Sequence, residues 1–82
     1  MIKVLLFANL RELAGTNQLE IDPSNVHSVR ELILRLNEIH PALEQVLDDE
    51  SAMISINQKY AAWEAVLADG DEVGILPPVS GG

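Results

Sequence analysis

One segment in the middle of the chain, residues 28–40, restricts the possible fold more than any other. Ser28 begins it with the pattern of a capping box, because Glu31 follows at the third position after it. Apolar residues then recur at helical spacing on one face: Val29, Leu32, Ile33, Leu36 and Ile39. Pro41 prevents the helix from continuing past His40. A helix with a single apolar stripe must bury that stripe, so we expect it on one face of a β-sheet.

The remainder of the chain is typical of β-strands with one further short helix. Apolar residues alternate or run over stretches of strand length, and Gly, Pro and Asp-Gly mark the turns. The expected strands are residues 1–8, 17–22, 52–57, 59–63 and 71–76. A short helix is expected from Asn9, as the N-cap with Glu12 at the third position after it, to a stop at Gly15. A further helical turn is expected within residues 42–47.

The order of these elements predicts an α+β fold. Two hairpin-like strands, a crossover helix and three more strands allow the first and last strands to pair in parallel at the sheet centre. This is the β-grasp, or ubiquitin-like, roll: a mixed sheet of about five strands with one main helix on one face. In a chain of 82 residues we expect one domain, residues 1–78, and a flexible tail, residues 79–82.

The side chains give little basis for catalysis by this chain alone. It has no cysteine, and its two histidines, His27 and His40, lie at the two ends of the main helix without spacing typical of a metal site. No glycine loop for a phosphate and no nucleophile elbow is present. We therefore expect no metal and no directly bound cofactor, and no reaction that depends on a side chain of this protein.

The net charge of −8 argues against nucleic acid as a partner, because the phosphate backbone would be repelled. Two explanations of this charge stay open: a basic protein partner, or solubility alone. The apolar runs are too short to cross a membrane, and the N-terminus lacks a signal-peptide pattern. We expect a soluble cytoplasmic protein without a membrane partner.

One face of the expected sheet is left without a helix. Alternation along the first and last strands places Leu5, Phe7 and Leu76 together at one end of this face, while its other end is charged. Tyr60 on the short neighbouring strand extends the apolar group, whereas Trp63 is expected at the edge of the domain. A cluster of large apolar side chains on an uncovered face indicates a protein contact site.

The chain ends in "LPPVSGG", where Pro77 and Pro78 stiffen the exit from the last strand and offer no N–H for pairing. Residues 79–82 can extend about 13 to 14 Å, and glycines at the tip would fit a narrow channel. A terminal carboxylate is ionised at neutral pH and is a poor acyl electrophile. Any acyl chemistry at this end therefore requires activation by another protein.

Three segments resemble the small-subunit, or sulfur-carrier, family of molybdopterin synthase: "IKVLLFANLRELAG" at 2–15, "INQ" at 56–58 and "LADGDEVGILPPVSGG" at 67–82. The ending is the most specific of them. The resemblance implies that the Gly82 carboxylate, next to Gly81, is adenylated by an ATP-dependent activating enzyme and receives sulfur from a sulfurtransferase as a thiocarboxylate. The sulfur would then pass to a cyclic pyranopterin precursor in the synthesis of molybdenum cofactor.

The resemblance also implies how the chain assembles. The tail would insert into a large catalytic subunit, within a heterotetramer of two small and two large subunits. The implied interface residues are Phe7, Arg11, Tyr60, Leu76, Pro77, Pro78, Val79 and Ser80, with Arg11 at the rim.

Two other functions share part of this pattern. A sulfur carrier for thiamine synthesis or a ubiquitin-like modifier would have the same fold and the same terminal Gly-Gly. A β-grasp interaction module with an inert tail would keep the contact face and make no use of the terminus.

Overall fold

The computed structural model describes residues 1–47 and 50–77, and every expected strand and helix within them is present. The strands run one or two residues shorter at their ends than the sequence pattern suggests. The strands are β1 Ile2–Leu6, β2 Gln18–Ile21, β3 Met53–Ile56, β4 Lys59–Ala61 and β5 Glu72–Leu76. The helices are α1 Asn9–Ala14, α2 Val29–Ile39 and α3 Glu44–Leu47, with a 3-10 turn Pro41–Leu43 before α3.

The sheet has five strands in the order β2-β1-β5-β3-β4. β1 and β5, the first and last strands of the chain, pair in parallel at its centre, and the other neighbours pair antiparallel. The helix α2 is the crossover that carries the chain from the β1–β2 hairpin to the other half of the sheet. The fold is therefore the mixed-sheet β-grasp that the order of elements predicted.

The core lies between α2 and the sheet face that α2 covers. On β1 and β5 the side chains that point toward α2 are buried, with Val4, Val73 and Ile75 at 0% exposure. Four residues of the predicted helix stripe are buried with them: Val29, Leu32, Ile33 and Leu36. Ile39 is the exception at 48% exposure: the chain turns at Pro41, and Leu43 supplies the next fully buried side chain.

The N-terminus of α2 has the predicted cap. The Ser28 hydroxyl accepts a hydrogen bond from the Glu31 amide at 3.3 Å, and the Glu31 carboxylate accepts one from the His27 amide at 2.7 Å. The first bond satisfies an amide that the first turn of a helix leaves unpaired, and the second binds the residue before the N-cap to that turn.

The predicted cap of α1 is wrong. Asn9 is already the first helical residue, and the N-cap is Ala8, which makes no side-chain hydrogen bond. Ala8 has φ 53° and ψ −132°, and the Phe7 carbonyl accepts a hydrogen bond from the Leu10 amide at 3.1 Å. This geometry is a type II′ turn with Ala8 at the position that glycine prefers. The chain thus enters α1 through a strained turn, whereas Gly15 ends it in the left-handed conformation, as expected.

Asn57 connects two of the motifs noted in the sequence. Asn57 and Gln58 both have positive φ and form the tight turn between β3 and β4. The Asn57 side-chain nitrogen Nδ2 donates to the Asp71 carboxylate at 3.1 Å, and its side-chain oxygen accepts from the Glu72 backbone amide at 3.0 Å. The "INQ" turn is therefore bound to the start of β5. These hydrogen bonds give a structural reason for "INQ" and for the Asp71 and Glu72 of the last motif.

Arg30 connects α2 to the loops on either side of β3 and β4. Its guanidinium donates to Glu50 and to Glu64 and lies 5.8 Å from the centre of the Trp63 ring. The two carboxylates raise the pKa of Arg30, and the guanidinium holds the pKa of Glu50 below its usual value of 4.5. Trp63 packs against the core at the domain edge, as expected, and its Nε1 donates to the Ala52 carbonyl at 3.3 Å.

Candidate functional site

The candidate site is the sheet face opposite α2, called here the open face. Period-2 alternation and the pairing register place its residues there. The open face consists of Lys3, Leu5, Phe7, Gln18, Glu20, Met53, Ser55, Tyr60, Glu72, Gly74 and Leu76.

The open face is charged at one end. Lys3 pairs with Glu20 on one side and with Glu72 on the other, and its Nζ lies 3.9 Å from the Glu72 carboxylate. The apolar residues begin in the next row of the same strands, at Leu5. The sequence predicted this gradient from alternation and the parallel pairing of the first and last strands.

The other end of the open face carries large apolar side chains that are exposed to solvent. Phe7 is 42% exposed, Met53 45% and Tyr60 77%, while Leu5 and Leu76 are half-buried. A row of such residues on one face is typical of a surface that binds another protein. The structure thus brings Phe7, Tyr60 and Leu76 onto one face, as the sequence predicted.

Sequence reasoning missed Met53. This residue pairs directly with Leu76 across β3 and β5, so it extends the apolar end of the open face. Alternation within 52–57 placed Met53 opposite the buried Ile54, which was the available signal. Alternation alone does not show that Met53 lies beside Leu76. That requires the register between β3 and β5, which a single sequence does not give.

Gly74 lies at the centre of the open face, where three strands meet. It pairs with Leu5 of β1 and with Ser55 of β3. A Cβ at this position would lie 2.6 Å from Ser55 Oγ and 3.5 Å from Phe7 Cε2. The first distance is far inside van der Waals contact, so glycine is required if Ser55 is to keep this rotamer.

Arg11 lies on the exposed side of α1, shortly after Phe7 in the chain. Leu10 beside it is fully buried and fixes the helix to the core. Within the residues that the structure describes, no carboxylate forms an ion pair with Arg11, in contrast to Arg30 and Arg35. Its charge is therefore available to a partner near the Phe7 end of the open face.

The path of the tail is described only to its beginning. Pro77 follows β5 directly and is half-buried. The predictions for Pro78, Val79, Ser80, Gly81 and Gly82, and the domain boundary between residues 78 and 79, lie outside the described residues. They stay predictions from the sequence.

No group of three or more His, Cys, Asp or Glu side chains in residues 1–47 and 50–77 could hold a metal ion. Within the same ranges, no helix is long and apolar enough to cross a membrane. His27 is exposed and faces Glu31, with its Nδ1 at 3.6 Å from the carboxylate.

Comparison with known proteins assigns the chain to a family. The model of the ThiS family matches residues 4–82, which is nearly the whole chain. The chain belongs to the ThiS family. A member of similar length is the molybdopterin synthase sulfur carrier subunit of Chlamydomonas reinhardtii, which is 39% identical over 83 residues; the match covers 99% of this chain and 98% of that relative.

Two solved structures have a fold similar to that of this chain. Small archaeal modifier protein 1 of Haloferax volcanii is 32% identical with a TM-score of 0.84, over 95% of this chain and 97% of that one. A chain in the complex of subunits 1 and 2 of molybdopterin-converting factor from Helicobacter pylori is 26% identical with a TM-score of 0.67. That match covers 99% of this chain and 97% of the other.

Proposed function

We propose that this ThiS family protein is the sulfur-carrier subunit of molybdopterin synthase. The observation that carries the proposal is full-length similarity to a sulfur carrier of that name, at 39% identity. The family match also extends through Gly81 and Gly82 at the end of the chain. The exposed apolar end of the open face supports it, since a carrier must bind other proteins to be loaded and unloaded.

The chemistry takes place at Gly82. The Gly82 carboxylate attacks ATP on a separate activating enzyme, which forms an acyl-adenylate and releases pyrophosphate. The terminal sulfur of a persulfide on a sulfurtransferase then displaces AMP, and a thiol reductant cleaves the resulting acyl disulfide to release the thiocarboxylate. The thiocarboxylate sulfur would attack the pyranopterin precursor on the large subunit, and hydrolysis of the resulting thioester by water would return the carboxylate. ATP serves only the activating enzyme, and this chain contributes the acyl group that alternates between the two forms.

The open face would bind the large catalytic subunit. Phe7, Met53, Tyr60 and Leu76 would form its apolar centre, and Arg11 a polar contact at the rim. A related chain is found in a complex of subunits 1 and 2 of molybdopterin-converting factor, which supports a partner of this kind. We propose two small and two large subunits in the assembly.

The tail would reach the active site of the large subunit from the end of β5. Pro77 and Pro78 would direct its exit, and Val79 and Ser80 would contact the walls of the channel. In this proposal the domain ends at residue 78, and residues 79–82 are the segment that moves between enzymes. Extended chain of this length spans about 13 to 14 Å, which is sufficient to enter a cleft.

The decisive experiment combines mass spectrometry with an activity assay. Co-expression with the activating enzyme and sulfurtransferase should yield an intact mass in which one oxygen is replaced by sulfur at Gly82. Deletion of Gly82 should abolish precursor conversion, while the matched change Ser24→Ala, in an exposed loop, should leave it unchanged. Full conversion without Gly82 would overturn the proposal.

A second candidate function is protein modification, which the similarity to small archaeal modifier protein 1 favours. The same acyl-adenylate could react with a lysine amine instead of sulfur and form an isopeptide bond with loss of AMP. Conjugates on lysines in cell extracts that disappear when Gly82 is deleted would support it. A thiamine sulfur carrier would be loaded in the same way but would not convert the pyranopterin precursor, and an inert interaction module would tolerate residues added after Gly82.

A further inference from the structure

The Ser55 hydroxyl occupies an unusual position at the centre of the open face. Ser55 pairs with Gly74 on one side and with Tyr60 on the other. Because Gly74 has no side chain, Ser55 Oγ can lie only 2.6 Å from the point where a Cβ on residue 74 would be. That Cβ would also lie 3.5 Å from Cε2 at the edge of the Phe7 ring. A polar atom thus lies beside the Gly74 backbone at the centre of the open face.

No side chain or backbone group of residues 1–47 and 50–77 forms a hydrogen bond with Ser55 Oγ. The residue is half-buried, with Tyr60 paired on one side, and Leu5 lies beyond Gly74 on the other. In the free protein, water can satisfy the hydroxyl. Once a partner covers the open face, that water must either be trapped or be replaced, because an unpaired buried hydroxyl is unfavourable.

We propose that Ser55 is a specificity-determining residue of the docking surface. Its hydroxyl forms a hydrogen bond with one polar group of the large subunit, a backbone amide or carbonyl, at the middle of an otherwise apolar contact. The inference rests on the proposed function, because it takes the large subunit as the occupant of the open face. A partner with only apolar groups at this point would bury the hydroxyl unpaired and would bind less tightly.

Gly74 is part of the same arrangement. Any side chain there would displace Ser55 Oγ, since the Cβ would lie within van der Waals contact of it. Gly74 therefore keeps the hydroxyl recessed, and it leaves the Phe7 ring in ordinary contact with the sheet. Its role is to position Ser55, while Ser55 makes the contact.

The first test measures the affinity of the Ser55→Ala variant for the purified large subunit by titration calorimetry. Loss of the hydroxyl leaves the polar group of the partner unpaired, so affinity should fall by about 5- to 150-fold. Ser24→Ala makes the same chemical change on an exposed loop and should leave affinity unchanged. Thermal unfolding of both variants verifies that the fold is retained. Unchanged or tighter binding by Ser55→Ala would overturn the inference.

The second test asks whether Gly74 acts through the same hydroxyl. Gly74→Ala should displace Ser55 Oγ and weaken binding. The double variant Ser55→Ala with Gly74→Ala relieves the clash and should bind about as tightly as Ser55→Ala alone. Independent effects that multiply in the double variant would contradict a shared role.

The wild-type measurement separates this inference from the proposed function. Absence of any binding between the wild-type chain and the large subunit would overturn the proposed function itself. Normal binding by the wild type together with equal binding by Ser55→Ala would overturn only the role of Ser55.

Discussion

The two faces of one sheet differ strongly in burial. On the face that α2 covers, Val4, Val73 and Ile75 are completely buried. On the open face, Phe7 next to β1 and Tyr60 on β4 keep 42% and 77% of their surface exposed. Residues adjacent in sequence thus serve folding on one face and are left for a partner on the other. The apolar surface needed for stability is already buried, so the open face can change its contacts without loss of the fold.

The largest expected effect on stability is on the sheet face that α2 covers, called here the covered face. Leu36→Ala removes a fully buried side chain from α2 and should lower the free energy of unfolding by about 2 to 5 kcal/mol. Urea unfolding followed by circular dichroism measures it. Leu34→Ala on the same helix is the control, because Leu34 is 60% exposed and should change stability by less than about 0.5 kcal/mol. Equal effects of the two changes would refute the division into faces.

The next effect, at the open face, should be large on binding and small on stability. Phe7→Ala on the open face should weaken binding of the large subunit by about 10- to 100-fold, as expected for a buried aromatic residue at an interface. It should lower the free energy of unfolding by only about 1 kcal/mol, because the ring is already partly exposed. Val66→Ala is the control, since Val66 is 80% exposed and bridges to Ser28 at the N-terminus of α2. A stability loss as large as that of Leu36→Ala would show that Phe7 belongs to the core.

A smaller effect is expected at the turn that joins the open face to α1. Ala8→Gly should raise the free energy of unfolding by about 1 kcal/mol, because glycine adopts φ 53° and ψ −132° without steric strain. Asn25→Gly is the control at φ 65°, where asparagine is already tolerated and the change should be close to zero. Chemical denaturation of both variants measures the difference. Destabilisation by Ala8→Gly would contradict the strained-turn description.

The smallest effect is a pH dependence at the edge of the covered face. Arg30 lowers the pKa of Glu50 in the folded state, so this ion pair contributes stability above the unfolded value of 4.5. The contribution is lost as the pH falls below 4.5 and Glu50 becomes protonated. Glu50→Gln should therefore reduce the fall in melting temperature below pH 4.5, while Glu44→Gln on α3, an exposed carboxylate, serves as control. The same pH profile in wild type and Glu50→Gln would show that the ion pair has no effect.

Local patterns predicted much of the fold and the main part of the candidate site. The apolar stripe of α2 and the cap at Ser28 follow from spacing within a few residues. The pairing of the first and last strands follows from the crossover rule, which allows few other arrangements. Phe7, Tyr60 and Leu76 were assigned to one face because side chains alternate along any strand.

Two of the errors came from how the backbone turns at the end of an element, and one came from a pairing between residues distant in the chain. Asn9 has the composition of an N-cap, but the route from β1 into α1 requires a type II′ turn, so Ala8 takes that place. Ile39 fits the helix stripe, but the chain turns at Pro41 and Leu43 fills the core instead. Met53 joined the open face only when the register against Leu76 was known.

The sequence by itself determined which side chains could be buried together, because alternation in strands and helical spacing in α2 are local properties of the backbone. The tertiary structure decided what meets at the centre of the open face. Ser55, Gly74 and Phe7 come from three strand segments far apart in sequence, and they lie together only because β1, β5 and β3 pair in one register. Strand register depends on the whole sheet, since a shift of one residue would move every side chain to the other face.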